Sequence, residues 1–495
     1  MHKLRLSHRP NHPTAPARPA RRAPTSPPPT AVEAAPGRAS WLLLALLCVP
    51  QFMVILDITI INVALPSIGR GLGFSGPDLQ WAISAYVLMT GGLMLLGGRC
   101  ADLIGRRTVL LAGVSIFTAA SLASGLAPSA AALVLSRAAQ GLGAALLSPA
   151  ALSIITASYE GQQRNTALAV WGALAGGGAA IGVLLGGVLT SALGWRSIFF
   201  VNVPVGAATI LLAVRMLPPG SRTVGWRRQL DLPGALTLVA GLVMLVYAIR
   251  QSSSWGLADA RTISLFGGAG ALLIAFAVVD RRSPRPLVPP AIWRNRSLVS
   301  ASALMLGVTA ILVGTFFLGS LFLQRVQHTS PITTGLDFLP LVVVTGAASH
   351  VGRELISRFG ARITAILGTG LIAAGNLLLS GADATSSYLG GVLPGFALIG
   401  FGIGLAFAAI TVAAMSAVRE QEAGLASGVL TTGHELGAAI GAALVSSIAF
   451  SSGDFVTGYG HGALAAAAIA AVVALIAATA IPSTRRADGP QLAFH

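Results

Sequence analysis

The sequence predicts an all-α integral membrane protein of fourteen spans, and three observations carry that reading. Apolar runs of about twenty residues, the length a helix needs to cross a bilayer, recur along most of the chain. The short breaks between them hold the charge and alternate between arginine-rich and arginine-poor. Composition agrees: 54% of the 495 residues are hydrophobic, 10% are charged and mean hydropathy is +0.78, where a soluble chain would be about 25% charged.

The first six runs are 41–63, 79–98, 108–127, 131–157, 166–192 and 197–217, punctuated by Arg99, Arg106, Arg107, Arg164 and Arg196. The runs 131–157 and 166–192 are long enough to tilt. Next come 232–250 and 262–280, set off by Arg222, Arg227 and Arg228 before them and by a 281–297 loop with five arginines after them. The last six are 298–323, 334–352, 362–380, 388–414, 424–450 and 460–482, interrupted by Arg325, Arg353, Arg358 and Arg419. Residues 1–39, with nine prolines and seven basic residues around one acid, read as a disordered tail, and 483–495 as a second tail. Assigned to alternate sides, the segments outside the spans hold 24 basic residues on one side and four on the other, which predicts cytoplasmic termini.

An internal repeat survives in the loops. Asp102, Gly105 and Arg107 after the second span correspond to Ser357, Gly360 and Arg362 between the tenth and eleventh. The chain therefore divides into a six-helix half (40–217), a two-helix insert with its loops (218–297) and a second six-helix half (298–482). Two such halves around a midplane site are the plan of many secondary transporters.

Net charge is +16, but the basic residues sit in short loops rather than on one face, which argues against a nucleic-acid partner. Lys3 is the only lysine, so there is no phosphate-binding loop ending in Gly-Lys-Ser/Thr, and no catalytic or metal-ligand constellation stands out. The chain reads as a non-enzyme in the lipid bilayer, without cofactor or metal, and as a functional monomer by default.

Polar residues inside the spans are the candidate site. Asp57 lies in the first run, and a carboxylate at that depth costs about 2.5–3.5 kcal/mol on insertion scales, so it needs a partner or a wet cavity. Arg137 in the fourth span shares a helix face with Gln140, Gly141, Ala144 and Ser148. Asp57, or Asn62 further along the first helix, is its expected partner, while snorkelling to the interface is the bland alternative. The loop Gly98–Arg107, with Gly98, Asp102, Gly105, Arg106 and Arg107, reads as a conformational gate or as a plain basic loop. In that reading Asp102 opens the third helix, where the helix dipole favours an acid. Gly178, Gly182, Gly186 and Gly187 form a groove for a neighbouring backbone or merely a tight packing face, mirrored by Gly433, Gly437 and Gly441. His434 and Glu435 lie deep in the thirteenth span, as a coupling or substrate site or as a structural hydrogen bond.

Taken together, Leu56-Asp57 through Ala64-Leu65-Pro66, Gly98–Arg107, Arg137 with Gln140-Gly141, the glycines of 178–187, Gly194-Trp195-Arg196 and Asn202-Val203-Pro204 resemble the major facilitator superfamily. Within it they resemble the fourteen-span drug:proton antiporters (EmrB/QacA-like), over residues 41 to 482. The resemblance implies the major facilitator fold, with two pseudo-symmetric six-helix halves plus two extra central helices. It implies export of a small amphiphilic drug or antibiotic, driven by protons. By the same likeness Asp57 and Arg137 belong to proton coupling, joined here by Glu435 and His434. Gly98, Asp102, Gly105, Arg106 and Arg107 form the gate, and Gly178, Gly182, Gly186 and Gly187 the antiporter glycine motif. Asn62 and Gln140 are expected at the substrate cavity. Two departures stand out: Val183 follows Gly182 where the family has proline, and His434-Glu435 stand where many relatives carry Arg-Gln. Uptake or exchange of a metabolite, and a non-transporting sensor or scaffold, are the competing readings.

Overall fold

A computed structural model describes residues 38–218, 230–284, 286–416, 418 and 423–481, and no strand occurs among them. Nearly all of the 1–39 tail, the loop with Arg222, Arg227 and Arg228, Arg419 and the 483–495 tail lie outside the described residues. The first half comprises α1 (Arg38–Leu72), α2 (Trp81–Ile104), α3 (Arg106–Gly125), α4 (Ala130–Ser158), α5 (Gly161–Leu193), the short α6 (Ser197–Phe200) and α7 (Asn202–Met216). The insert holds α8 (Leu232–Trp255) and α9 (Ala260–Arg282), followed by a short α10 (Pro290–Arg294). Then come α11 (Arg296–Leu321), α12 (Pro331–Ser380), α13 (Leu393–Met415), α14 (Ala423–Ala449) and α15 (Phe455–Ala480). Side-chain caps start several of them: Ser129 Oγ accepts from Ala132 N, Ser330 Oγ from Thr333 N and Asp454 Oδ2 from Thr457 N.

Among the described residues, 13 helical stretches are long and apolar enough to cross a membrane. The expected spans 334–352 and 362–380 are joined in α12, which runs for 50 residues. An unbroken helix of that length would measure about 75 Å against a hydrocarbon core of about 30 Å. α12 is broken: Gly360 has φ 85° and ψ 162°, a backbone conformation that glycine alone adopts at no steric cost. Gly105, its partner in the sequence repeat, has φ 103° and ψ 130° and separates α2 from α3.

The structure moves three other boundaries. α1 continues through Pro66 to Leu72 instead of ending near residue 63. Proline frees a carbonyl one turn back, and Gln324 Nε2 donates at 2.8 Å to the adjacent Val63 carbonyl from the other half of the chain. The run 197–217 is two helices, α6 and α7. Asp102 lies in the last turn of α2 rather than at the start of α3, because Gly105 makes the break.

Small residues set how close the helices come, and the packing repeats between halves. A Cβ on Gly113 of α3 would meet Leu147 N at 2.6 Å and Gly143 O at 2.9 Å in α4; one on Gly368 of α12 would meet Gly402 O at 2.7 Å and Ala406 N at 2.9 Å in α13. Likewise Gly141 abuts the Tyr86 carbonyl, and Gly400 the Leu341 carbonyl. α8 lies against both halves: Val239 covers Gly92 of α2, Ser447 Oγ of α14 donates to Ile249 O at 3.0 Å, and Arg250 pairs with Asp78 at 2.7 Å.

Gly141→Ala is expected to lower the thermal stability of the detergent-purified protein, in the range of about 1–3 kcal/mol typical of overpacking. Gly172→Ala, where a Cβ meets nothing within 4 Å, is the matched control and should be neutral or stabilising.

Candidate functional site

Asp57 sits just past the middle of α1, with no exposed surface. Its Oδ2 forms an ion pair with Arg137 Nη1 of α4. Its Oδ1 accepts from Gln140 Nε2 at 2.8 Å and from Asn202 Nδ2 at 3.1 Å. Arg137 is also fully buried; its Nε donates to the Ala82 carbonyl of α2 at 2.9 Å and its Nη1 to Gln140 Oε1 at 2.9 Å. The guanidinium lies 4.4 Å from the centre of the Tyr86 ring, a cation–π contact strengthened by the absence of water. Gln140 passes the network on, donating to Ser121 Oγ of α3 at 2.7 Å, and Ser124 Oγ donates to Ser136 Oγ at 2.9 Å.

Such a pair survives burial only if its remaining donors and acceptors are met, and here they are met from five helices. Gln140 and Arg137 are three residues apart, so one face of α4 presents both to Asp57. The close approach of Gly141 to α2 brings Arg137 within reach of the Ala82 carbonyl. Asn202, the first residue of α7, completes the carboxylate's shell; the sequence showed it only as an amide in the run Asn202-Val203-Pro204.

Arg137 therefore pairs with Asp57 and not with Asn62. Asn62 donates to the Ile58 carbonyl at 2.8 Å, and its Oδ1 is buried without a hydrogen-bond partner. Gln140, expected at a cavity wall, is fully buried with both ends of its amide engaged.

The other candidates fall into three places. The glycines of α5 face α1: a Cβ on Gly178 would lie 2.7 Å from Ile55 Cγ2, one on Gly182 would strike Thr59 Oγ1, and one on Gly186 would lie 2.8 Å from Ile60 O. Gly187 turns to α12, 2.7 Å from Pro331 O by the same measure. Gly433, Gly437 and Gly441 of α14 face α11 in the same manner, against the carbonyls of Ser302, Leu306 and Ala310. In the Gly98–Arg107 stretch, Asp102 and Arg106 are exposed and make no ion pair among the described residues, while Arg107 Nη2 donates to Val214 O of α7 at 2.9 Å. The reading of Asp102 as a helix-dipole partner of α3 is thereby corrected; it lies at the unfavourable, C-terminal end of α2.

His434 and Glu435 are in contact at 3.5 Å, His434 Nδ1 to Glu435 Oε1. Glu435 is 6% exposed, its Oε2 has no hydrogen-bond partner, and its Cβ packs on Gly91 of α2. No hydrogen bond joins this pair to Asp57. It lies at the junction of α2 and α14.

A family model described as Major Facilitator Superfamily matches residues 47–442 and, overlapping, 343–492. A puromycin resistance protein of Streptomyces alboniger is 40% identical over 429 residues, covering 85% of this chain and 84% of its own. A cephamycin export protein of Amycolatopsis lactamdurans is 38% identical over 409 residues, covering 82% and 84%. In fold, the chain is similar to the crystal structure of a D-xylose–proton symporter, with TM-score 0.66 at 14% identity over 90% of this chain and 98% of that one.

Arg137→Ala leaves Asp57 buried without its cation and should destabilise the protein by about 3–5 kcal/mol. Adding Asp57→Asn to Arg137→Ala should recover part of that loss, which a double-mutant cycle by thermal unfolding measures.

Proposed function

Because the chain belongs to the major facilitator superfamily, we propose that it is a proton-coupled antiporter. It exports small amphiphilic drugs or antibiotics across the bacterial cytoplasmic membrane by alternating access. The observation that carries this reading is Asp57, a fully buried acid whose charge is answered by one cation, Arg137. A group so placed changes its surroundings when it takes up a proton, and a scaffold has no use for it. The resistance and export proteins among its relatives support the substrate class and the direction.

In this scheme α12 counts as two spans divided at Gly360, which makes fourteen and puts both termini on one side. The excess of basic loop residues makes that side cytoplasmic. A proton arriving from outside neutralises Asp57. Arg137 then keeps the Ala82 carbonyl, Gln140 and the faces of Tyr86 and Phe199, and the tie between α1 and α4 weakens. α1 shifts along the glycine groove of α5, the halves rock, and the Gly98–Arg107 stretch around the Gly105 break, with Asp102, Arg106 and Arg107, re-forms as the gate. Glu435, with an unpartnered oxygen beside His434, is the second proton site, on the opposite half. Gln140 serves by holding Asp57, and Asn62, with its free Oδ1, is the polar group left to meet substrate.

One proton moved through 100 mV supplies about 2.3 kcal/mol. At about 1.4 kcal/mol per decade, that sustains a gradient of about 50-fold for a neutral drug. In inverted vesicles, substrate addition should dissipate an imposed pH gradient, and Asp57→Asn should abolish this while the protein remains folded in the membrane. Undiminished proton-linked efflux in that variant would overturn the reading.

A further inference from the structure

α1 and α11 belong to different halves and meet toward the end of the bundle that carries Gly194. There α11 runs on into a π turn, Phe322–Val326, in which Gln327 N donates at 3.1 Å to the Phe322 carbonyl five residues back. Such turns are rare and frequently sit at functional positions. Gln324 lies in this one and is 7% exposed; its Nε2 donates to the Val63 carbonyl of α1 at 2.8 Å and to Ser320 Oγ at 3.3 Å. Val63 has no exposed surface, and it follows Asn62, whose carbonyl loses its usual N–H donor to Pro66.

Further contacts between the halves gather at the same end. Ile332 N of α12 donates to Ser191 Oγ of α5 at 3.2 Å, and a Cβ on Gly76 would lie 2.6 Å from the Phe450 ring. The Ser191 bond is made between exposed residues, whereas the Gln324 bond is buried. Both partners of the buried bond are neutral. With water excluded, each would be left unpaired without the other, which costs free energy. Once water enters, it replaces either partner at little net cost. The bond therefore favours the closed end without barring its opening, and whatever favours one of two states sets their ratio. Val63 follows Asp57 by six residues, about 9 Å along the axis. The helix that Asp57 ties to α4 is thus tied by Val63 to the other half.

We propose that Gln324 is the latch of this end: its hydrogen bond to the Val63 carbonyl holds the two halves together there and parts when that end opens. This rests on the alternating-access reading and adds to it a contact that must break.

The test is a pair of distances measured by pulsed EPR on the spin-labelled full chain in lipid nanodiscs, with Cys48→Ala and Cys100→Ala to remove the native thiols. Leu126→Cys and Ala384→Cys, at exposed turn positions of the two halves, report on the Gly194 end. Gln163→Cys and Phe359→Cys, also exposed, report on the Gly105 end. Gln324→Met keeps the length of the side chain and removes the donor. It should raise the ratio of long to short distances at the Gly194 end by about two- to tenfold, the effect of one hydrogen bond between neutral groups. An unchanged ratio overturns the proposal even if thermal stability falls, because a merely structural bond moves stability alone. So does an equal rise in Ser320→Ala, which removes only the weaker contact. The Gly105 pair separates the latch from the reading it rests on. A rise at the Gly194 end with the Gly105 pair unmoved supports the latch and overturns the rocking of the halves. Gln324→Leu gives the same readout if Gln324→Met does not fold.

Discussion

The ion pair between Asp57 and Arg137 binds more of the molecule than its two residues suggest. α1 supplies the acid and α4 the base; α2 contributes the Ala82 carbonyl and the Tyr86 ring, α3 the hydroxyl of Ser121, α7 the amide of Asn202. Each of these helices must hold its place for the pair to stay satisfied, and each approach is set by small residues, Gly141 against α2 and Gly143 against α3. Electrostatics and packing are thus one constraint in this half. A change of protonation at one carboxylate alters the balance for five helices together.

The second half repeats the packing without the charge. Arg137 stands one turn before Gly141; Phe396 stands one turn before Gly400 and stacks on Phe338 with ring centres 5.3 Å apart. The glycines that face α1 from α5 have their counterparts facing α11 from α14. The backbone plan is shared, and the fully buried ion pair belongs to the first half, with Glu435 as the buried acid the second half contributes.

Much of this was legible in the sequence where the signal is local. An acid in a greasy run, an arginine and a glutamine three residues apart, and glycines every fourth residue each point to a buried, tightly packed face before any coordinates exist. Gly105 and Gly360 were visible as matched loop residues, and both take a positive φ. Contacts between distant segments were not legible. Asn202 lies 145 residues from Asp57, and nothing local marks the amide as a ligand of that carboxylate. Asp102 was misplaced because one glycine decides which of two helices owns it, and periodicity does not see a single backbone angle. The joining of two spans into α12 has the same origin: the charged break with Arg353, Arg358 and Arg362 is in the sequence, but the helix runs through it and turns at Gly360.

The insert gives the bundle a front and a back. Along the α2–α14 seam, α8 is laid across both sides, with Val239 on Gly92 and the Ile249 carbonyl bonded to Ser447. Along the α5–α12 seam the closest approaches, Gly187 to Pro331 and Gly335 to Val183, gather near the Gly194 turn, while Gly172, Gly176, Gly177 and Gly346 have open space about them. The two seams are therefore closed differently: a third helix bridges one, while the other is held by backbone contacts at one end. Should the proposed export of amphiphilic compounds hold, only the α5–α12 side would lack, among the described residues, a helix lying between the leaflet and the interface of the two halves.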